Sequence, residues 1–143
     1  MKKIETQIQI DASLESVWDI FSDFKRYHEW NPFLTEIQGS LNEGEFLKIK
    51  VVLSNGKARF ADPKVEKVIY GKEACFLAER GVLFTGKHYF IFEAISPVET
   101  RVIHGEIFSG VLPFFLWHKI EKVFTASFEE MNKALKLRAE KHT

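Results

Sequence analysis

The chain has almost no cysteine, no excess charge of either sign and no apolar run long enough to cross a bilayer. Cys75 is the only cysteine, which excludes an internal disulfide and a multi-cysteine metal site. It sits in the strand-like run Ala74-Cys75-Phe76 and reads as a small buried hydrophobe, since nothing near it in sequence would activate a thiol. Lysine and arginine total 20, as do aspartate and glutamate, so no net charge draws nucleic acid or an acidic membrane. The longest uncharged, largely apolar run, Ser109 to Trp117, is far too short to span a membrane. Met1-Lys2-Lys3 is like the start of a signal peptide, but Glu5, Gln7 and Gln9 interrupt any apolar segment behind it. A soluble chain in a reducing, cytoplasmic setting is the expectation. Low-complexity tracts, repeats and linkers are also missing, and 143 residues fit one domain spanning 1–143.

Aromatic residues are what the chain has in abundance. Its 14 phenylalanines suit either a thick core or the apolar wall of a pocket. Ile4 to Ile10 alternates as a half-buried strand, and Asp11 or Ser13 can cap a helix over Leu14 to Phe24. Asn31-Pro32 breaks that pattern, and a short second helix or turn is expected around Phe33 to Glu36. Strands then follow over 36–41, 45–53, 58–70, 74–79, 86–94 and 100–108. Asn55-Gly56 suits a type I′ hairpin, and Pro63 implies a bulge or sheet edge.

From Pro113 the period becomes helical. Trp117, Ile120, Phe124, Phe128, Met131 and Leu135 form one stripe, opposite Glu121, Lys122, Glu129, Glu130 and Lys133. Such a helix, reaching Glu140, is about 40 Å long at about 1.5 Å per residue. Leu112 to Trp117 reads as helix start and cavity wall, its rings buried; dipping into a bilayer is the weaker reading, because the polar face lacks dense Lys and Arg. The expected architecture is α+β: a seven-stranded antiparallel sheet curled around a long C-terminal helix, with two short helices after the first strand.

Val102-Ile103-His104-Gly105-Glu106-Ile107-Phe108 is the most informative stretch. As a strand it places Val102, His104, Glu106 and Phe108 on one inward face, so two titratable groups stand between apolar ones. In strand 86–94, His88, Phe90 and Phe92 share a face. An even hairpin register brings His88 to His104 and Glu106; an odd one separates them. Three readings are open for this trio: a structural pair in which Glu106 accepts from a histidine, a polar anchor for an apolar ligand, or a catalytic pair with a histidine base and Glu106 as acid or orienter. A metal site is not expected, since no closely spaced pair of histidines is present, and His28, His118 and His142 read as solvated. Trp30-Asn31-Pro32-Phe33 reads as a plug at one end of the sheet, or as a portal rim on which Asn31 offers its amide to a ligand.

Val17-Trp18, Trp30-Asn31-Pro32-Phe33, Gly44, Gly86-Lys87-His88, Thr100-Arg101, His104-Gly105-Glu106 and Phe108-Ser109-Gly110, in that order, resemble the START-like helix-grip (SRPBCC) superfamily. The closest branch is the polyketide cyclase/dehydrase and lipid-transport group. The resemblance implies a cavity between sheet and C-terminal helix that binds or transports a small hydrophobic or amphipathic molecule, with no cofactor. Alternatives within the superfamily are a cyclase or dehydratase with His104 and Glu106 as catalytic candidates, and a co-chaperone-like interaction module with a shallow pocket. The ligand-contacting set expected is His88, Phe90, Phe92, Val102, His104, Glu106, Phe108, Trp30, Asn31, Ile120, Phe124 and Phe128. No nucleic-acid partner and no stable membrane insertion are expected of this monomer or homodimer. One departure is that Ala74-Cys75-Phe76-Leu77-Ala78 lacks a tryptophan often found in that strand.

Overall fold

The computed structural model describes residues 1–141, so His142 lies outside the described residues. Strand β1 (Lys2–Ile10) leads into helix α1 (Leu14–Ser22), then a 3-10 helix over Phe24–Glu29. Strands β2 (Leu34–Gln38), β3 (Lys48–Val52), β4 (Ala58–Ala61), β5 (Lys64–Ile69), β6 (Glu73–Arg80), β7 (Phe84–Ser96) and β8 (Glu99–Ser109) follow, and helix α2 (Val111–Lys141) ends the described chain. The fold is α+β, an antiparallel sheet gripping a long C-terminal helix, as expected. No described helix is long and apolar enough to cross a membrane.

The strands number eight and form two sheets, ordered β1-β8-β7-β6-β5 and β2-β3-β4. The expected strand over 58–70 is broken at Asp62-Pro63, because proline has no N–H to continue a ladder. The sheets join through Gly44 and Leu47 N–H, which donate to the Val65 and Pro63 carbonyls, and Val65 N–H, which donates back to Glu45. Elsewhere on the small sheet, Ser54 at the β3–β4 turn donates two hydrogen bonds to α2. Its N–H donates to Ser127 Oγ at 2.9 Å and its hydroxyl to the Val123 carbonyl at 3.1 Å.

Local chemistry explains the elements. Ser13, the capping residue of α1, accepts from the Ser16 N–H at 3.2 Å. Val17, Trp18 and Phe21 bury one face of α1. The second short helix lies before Asn31-Pro32 rather than after it, and 33–36 enters β2 instead. Asn31 decides this: its Oδ1 accepts from the N–H groups of Phe33 and Leu34, both at 2.9 Å, turning the chain into the strand. At the 53–57 turn only Gly56 has positive φ, so the turn is not type I′. Gly56 N–H bonds to the Leu53 carbonyl and Leu53 N–H to Lys57, so one left-handed residue closes the hairpin.

Helix α2 buries Ser127, Phe128, Met131, Asn132, Leu135 and Ala139 against the sheet. It begins two residues before the expected Pro113, and Leu116 leaves helical geometry at φ −111 and ψ 17. The first turn therefore points away from the rest of the helix, held by Val111 and Leu112 N–H bonds to the Val82 and Leu83 carbonyls. Contrary to expectation, the Phe114 and Phe115 rings are 73% and 74% exposed, while Pro113 is buried.

Replacing Asn31 with alanine removes both chain-turning acceptors from a buried site. Denaturant unfolding is expected to show a loss of roughly 1–3 kcal/mol, with Asn31→Asp retaining more stability than Asn31→Ala because it keeps the acceptor.

Candidate functional site

A cavity of about 790 Å³ opens between the two sheets. Phe76, Ala78, Gly86, His88, Phe90 and Glu106 line it from the larger sheet; Leu34, Ile49, Val51 and Phe60 face them from the smaller. Phe21, Phe24 and Tyr27 close one end. Helix α2 contributes Leu112 and Phe124, so the wall opposite the large sheet is mostly the second sheet rather than the helix. Exposed Lys57, Arg59, Arg80 and Asp62 stand at the mouth, where Arg80 pairs with Asp62 at 3.4 Å.

The hairpin register is even: His88 lies opposite Glu106, and Phe90 opposite His104. Glu106 does not pair with a histidine, however. His88 Nε2 and His104 Nε2 face each other at 2.7 Å, and His104 Nδ1 lies 2.8 Å from Asn132 Oδ1 on α2. Phe90 and Phe128 both pack against the His104 ring, each centroid at 4.2 Å. Phe128 also stacks on His88 at 5.2 Å and 13°. His104 is fully buried and His88 half-buried among these rings, and both imidazoles are held neutral. Burial lowers His88 to a pKa of about 3. His104 is lowered well below the usual value by burial and by the neighbouring imidazole, against the raising effect of the Asn132 bond.

Glu106 is 7% exposed, and no hydrogen bond reaches its carboxyl from any described residue. Burial alone pushes its pKa up to about 8, so at neutral pH it stands in the cavity as a carboxylic acid, a donor as well as an acceptor. Gly86 makes room for it, because a β-carbon there would overlap the carboxyl oxygen. A metal is poorly served here: the two imidazole nitrogens nearest each other are already in direct contact, and no three His, Cys, Asp or Glu side chains gather at ligand spacing among the described residues.

Of the twelve residues expected to contact a ligand, His88, Phe90, Glu106 and Phe124 line this cavity. His104 sits behind His88. Phe92 packs edge-on against Trp18 at 5.0 Å, and Val102 and Phe108 are fully buried in the core. Phe128 is layered over the histidines, while Ile120 and Trp30 are half-buried outside the lining. Asn31 spends its oxygen on the backbone, and its amide nitrogen is buried without a partner among the described residues. Asn132, Thr6 and the β2–β4 wall were not anticipated. Asn132 had a signal, since it falls four residues after Phe128 on the apolar stripe.

The titrations of these groups have opposite consequences for stability. Between the unfolded value near 4.5 and the folded value of about 8, Glu106 binds its proton only when folded, so its contribution is lost as pH rises through that window. The histidines bind protons only when unfolded below their usual 6.5, so they oppose folding as pH falls. Urea unfolding of Glu106→Gln and the parent protein is expected to show the variant gaining on the parent from about pH 5 to about pH 8, by up to several kcal/mol. A pH-independent difference would mean that Glu106 is ionised in the cavity.

The same architecture occurs in solved structures of low sequence identity. A START superfamily protein from Mycobacterium smegmatis is 21% identical with a TM-score of 0.82, covering 99% of both chains. The Zhui aromatase/cyclase from Streptomyces sp. R1128 is 11% identical at a TM-score of 0.81, covering 99% of this chain and 94% of its own. Norcoclaurine synthase from Thalictrum flavum, solved with dopamine and hydroxybenzaldehyde, is 16% identical at 0.75, covering 99% of this chain and 88% of its own. No curated protein matches the sequence. The family model described as polyketide cyclase / dehydrase and lipid transport matches residues 1–140, and the chain belongs to that family.

Proposed function

We propose that the protein binds a small apolar or amphipathic molecule in the inter-sheet cavity, with His88 and Glu106 meeting its polar end and His104 acting from behind His88. The observation that carries this reading is Glu106 itself: a buried carboxyl with no partner among the described residues, standing in a chamber lined largely by aromatic and aliphatic side chains. An unpartnered buried polar group costs about 1–3 kcal/mol, which a ligand's own hydrogen bond would offset. Small-molecule sites are built this way, with a few convergent polar groups in an apolar cleft. Buried, unpaired Cys75 fits a reducing, cytoplasmic setting as part of the same proposal.

The cyclase or dehydratase reading uses the same residues. His88 would take a proton from a carbon beside a carbonyl, whose oxygen would receive the Glu106 proton, leaving an enol. Its weakness is magnitude: a nitrogen held near a pKa of 3 is a poor base at neutral pH. The interaction-module reading requires a shallow, ring-filled pocket, and a cavity of about 790 Å³ argues against it.

Native mass spectrometry of protein purified from its own host, followed by solvent extraction, is expected to show a bound apolar molecule. Ala78→Phe fills the cavity from the inner face of β6 and is expected to weaken binding of an apolar fluorescent probe at least about tenfold while the fold persists. A ligand-free native protein whose probe binding is unchanged by Ala78→Phe would overturn the reading.

A further inference from the structure

The hydrogen bonds behind His88 form a chain whose direction is fixed at its far end. Thr6 Oγ1 lies 2.9 Å from the main-chain carbonyl of His104, an oxygen that only accepts, so the Thr6 hydroxyl donates there. Its single hydrogen is then used, and its contact with the Asn132 amide at 2.9 Å must run from the NH₂ group to the hydroxyl. That orientation turns Asn132 Oδ1 toward His104 Nδ1, which must carry the hydrogen. A neutral imidazole protonated at Nδ1 has a bare Nε2, so His104 Nε2 accepts and His88 Nε2 donates. His88 Nδ1 is left as a bare lone pair with no partner among the described residues, on a side chain that lines the cavity. Glu106 is the residue directly across the strand pair, and its carboxyl, seated over Gly86, offers a hydrogen to the same cavity.

Acceptor and donor therefore stand on opposed residues of neighbouring strands, where β-carbons are about 5 Å apart. We infer that the inner end of the cavity recognises an uncharged head group carrying a hydrogen-bond donor beside a carbonyl-type acceptor, such as a hydroxy-ketone, an enol or a primary amide, and that Asn132 and Thr6 are positioning residues that set this preference through the tautomers of His104 and His88. The inference rests on the cavity being a ligand site. At the inner end an anionic head would meet the imidazole lone pair, while the cations of the site, Lys57, Arg59 and Arg80, stand at the mouth. An ammonium head would have to ionise Glu106 in a chamber that supplies the carboxylate no hydrogen bond, where the desolvation of two charges outweighs one close contact. Neither Asn132 nor Thr6 lines the cavity, so neither touches a ligand there directly.

Three probes with one twelve-carbon chain separate the possibilities: dodecanamide, N,N-dimethyldodecanamide, which keeps the carbonyl and loses the donor, and dodecylamine. At neutral pH the primary amide is expected to bind roughly tenfold or more tightly than either. His88→Phe should abolish its advantage over the dimethyl amide. Thr6→Val, remote from the cavity, and Asn132→Leu should each shrink that advantage without changing affinity for the dimethyl amide. Ring-nitrogen NMR of the unliganded protein reads the tautomers independently: His104 protonated at Nδ1 and His88 at Nε2, with the pattern lost in Thr6→Val. His88 protonated at Nδ1, or dodecylamine binding as tightly as the primary amide, would overturn the inference and leave the cavity reading intact. Failure of all three probes, with the tautomers as expected, would overturn the cavity reading and this inference with it.

Discussion

Two imidazole nitrogens 2.7 Å apart, enclosed by phenylalanine rings, set the conditions for the centre of the molecule. At that distance the two rings share one hydrogen, so both cannot be charged at once, and burial holds each of them neutral. Phe128 stacks on His104 and Phe90 packs against it at a tilt, and the Phe128 contact seats the middle of α2 on the sheet. Asn132 and Thr6 complete the arrangement from the helix and from β1, tying together elements 126 residues apart in the chain. The polarity of the cavity is thus a by-product of how its back wall is held together.

Much of this was visible in the residues themselves. Alternation along 102–108 correctly placed Val102, His104, Glu106 and Phe108 on the buried face, because a half-buried strand has a period of two. The helical stripe from Trp117 to Leu135 likewise announced its buried face. Register was not legible, since it depends on an irregularity between Ala94 and Ser96 that side-chain type does not encode. The partner of His104 was missed for a different reason: a histidine inside a fold suggests a carboxylate, whereas here Glu106 points to the cavity and an amide from the far end of the chain fills the role. Pro63 implies a bulge or a sheet edge; with no N–H there the strand ends and β4 and β5 join different sheets, which puts the cavity's outer wall on β2–β4 rather than on the helix.

The exposed rings at the start of α2 show the limit of composition as a guide. Phe114 and Phe115 have the character of core residues, and only the backbone departure at Leu116 turns them outward. The aromatic core is satisfied elsewhere, by Trp18, Phe21, Phe90 and Phe92 in mutual contact at about 5 Å. With its apolar burial secured there, the fold tolerates a partnerless carboxyl a few residues away.

The two joints between the sheets and the helix carry a further consequence. Backbone bonds at 44–47 and 63–65 brace one edge of the chamber, and Ser54 pins the small sheet to α2. A site whose walls are already joined by hydrogen bonds has less ordering entropy to lose on binding than one that must first assemble them.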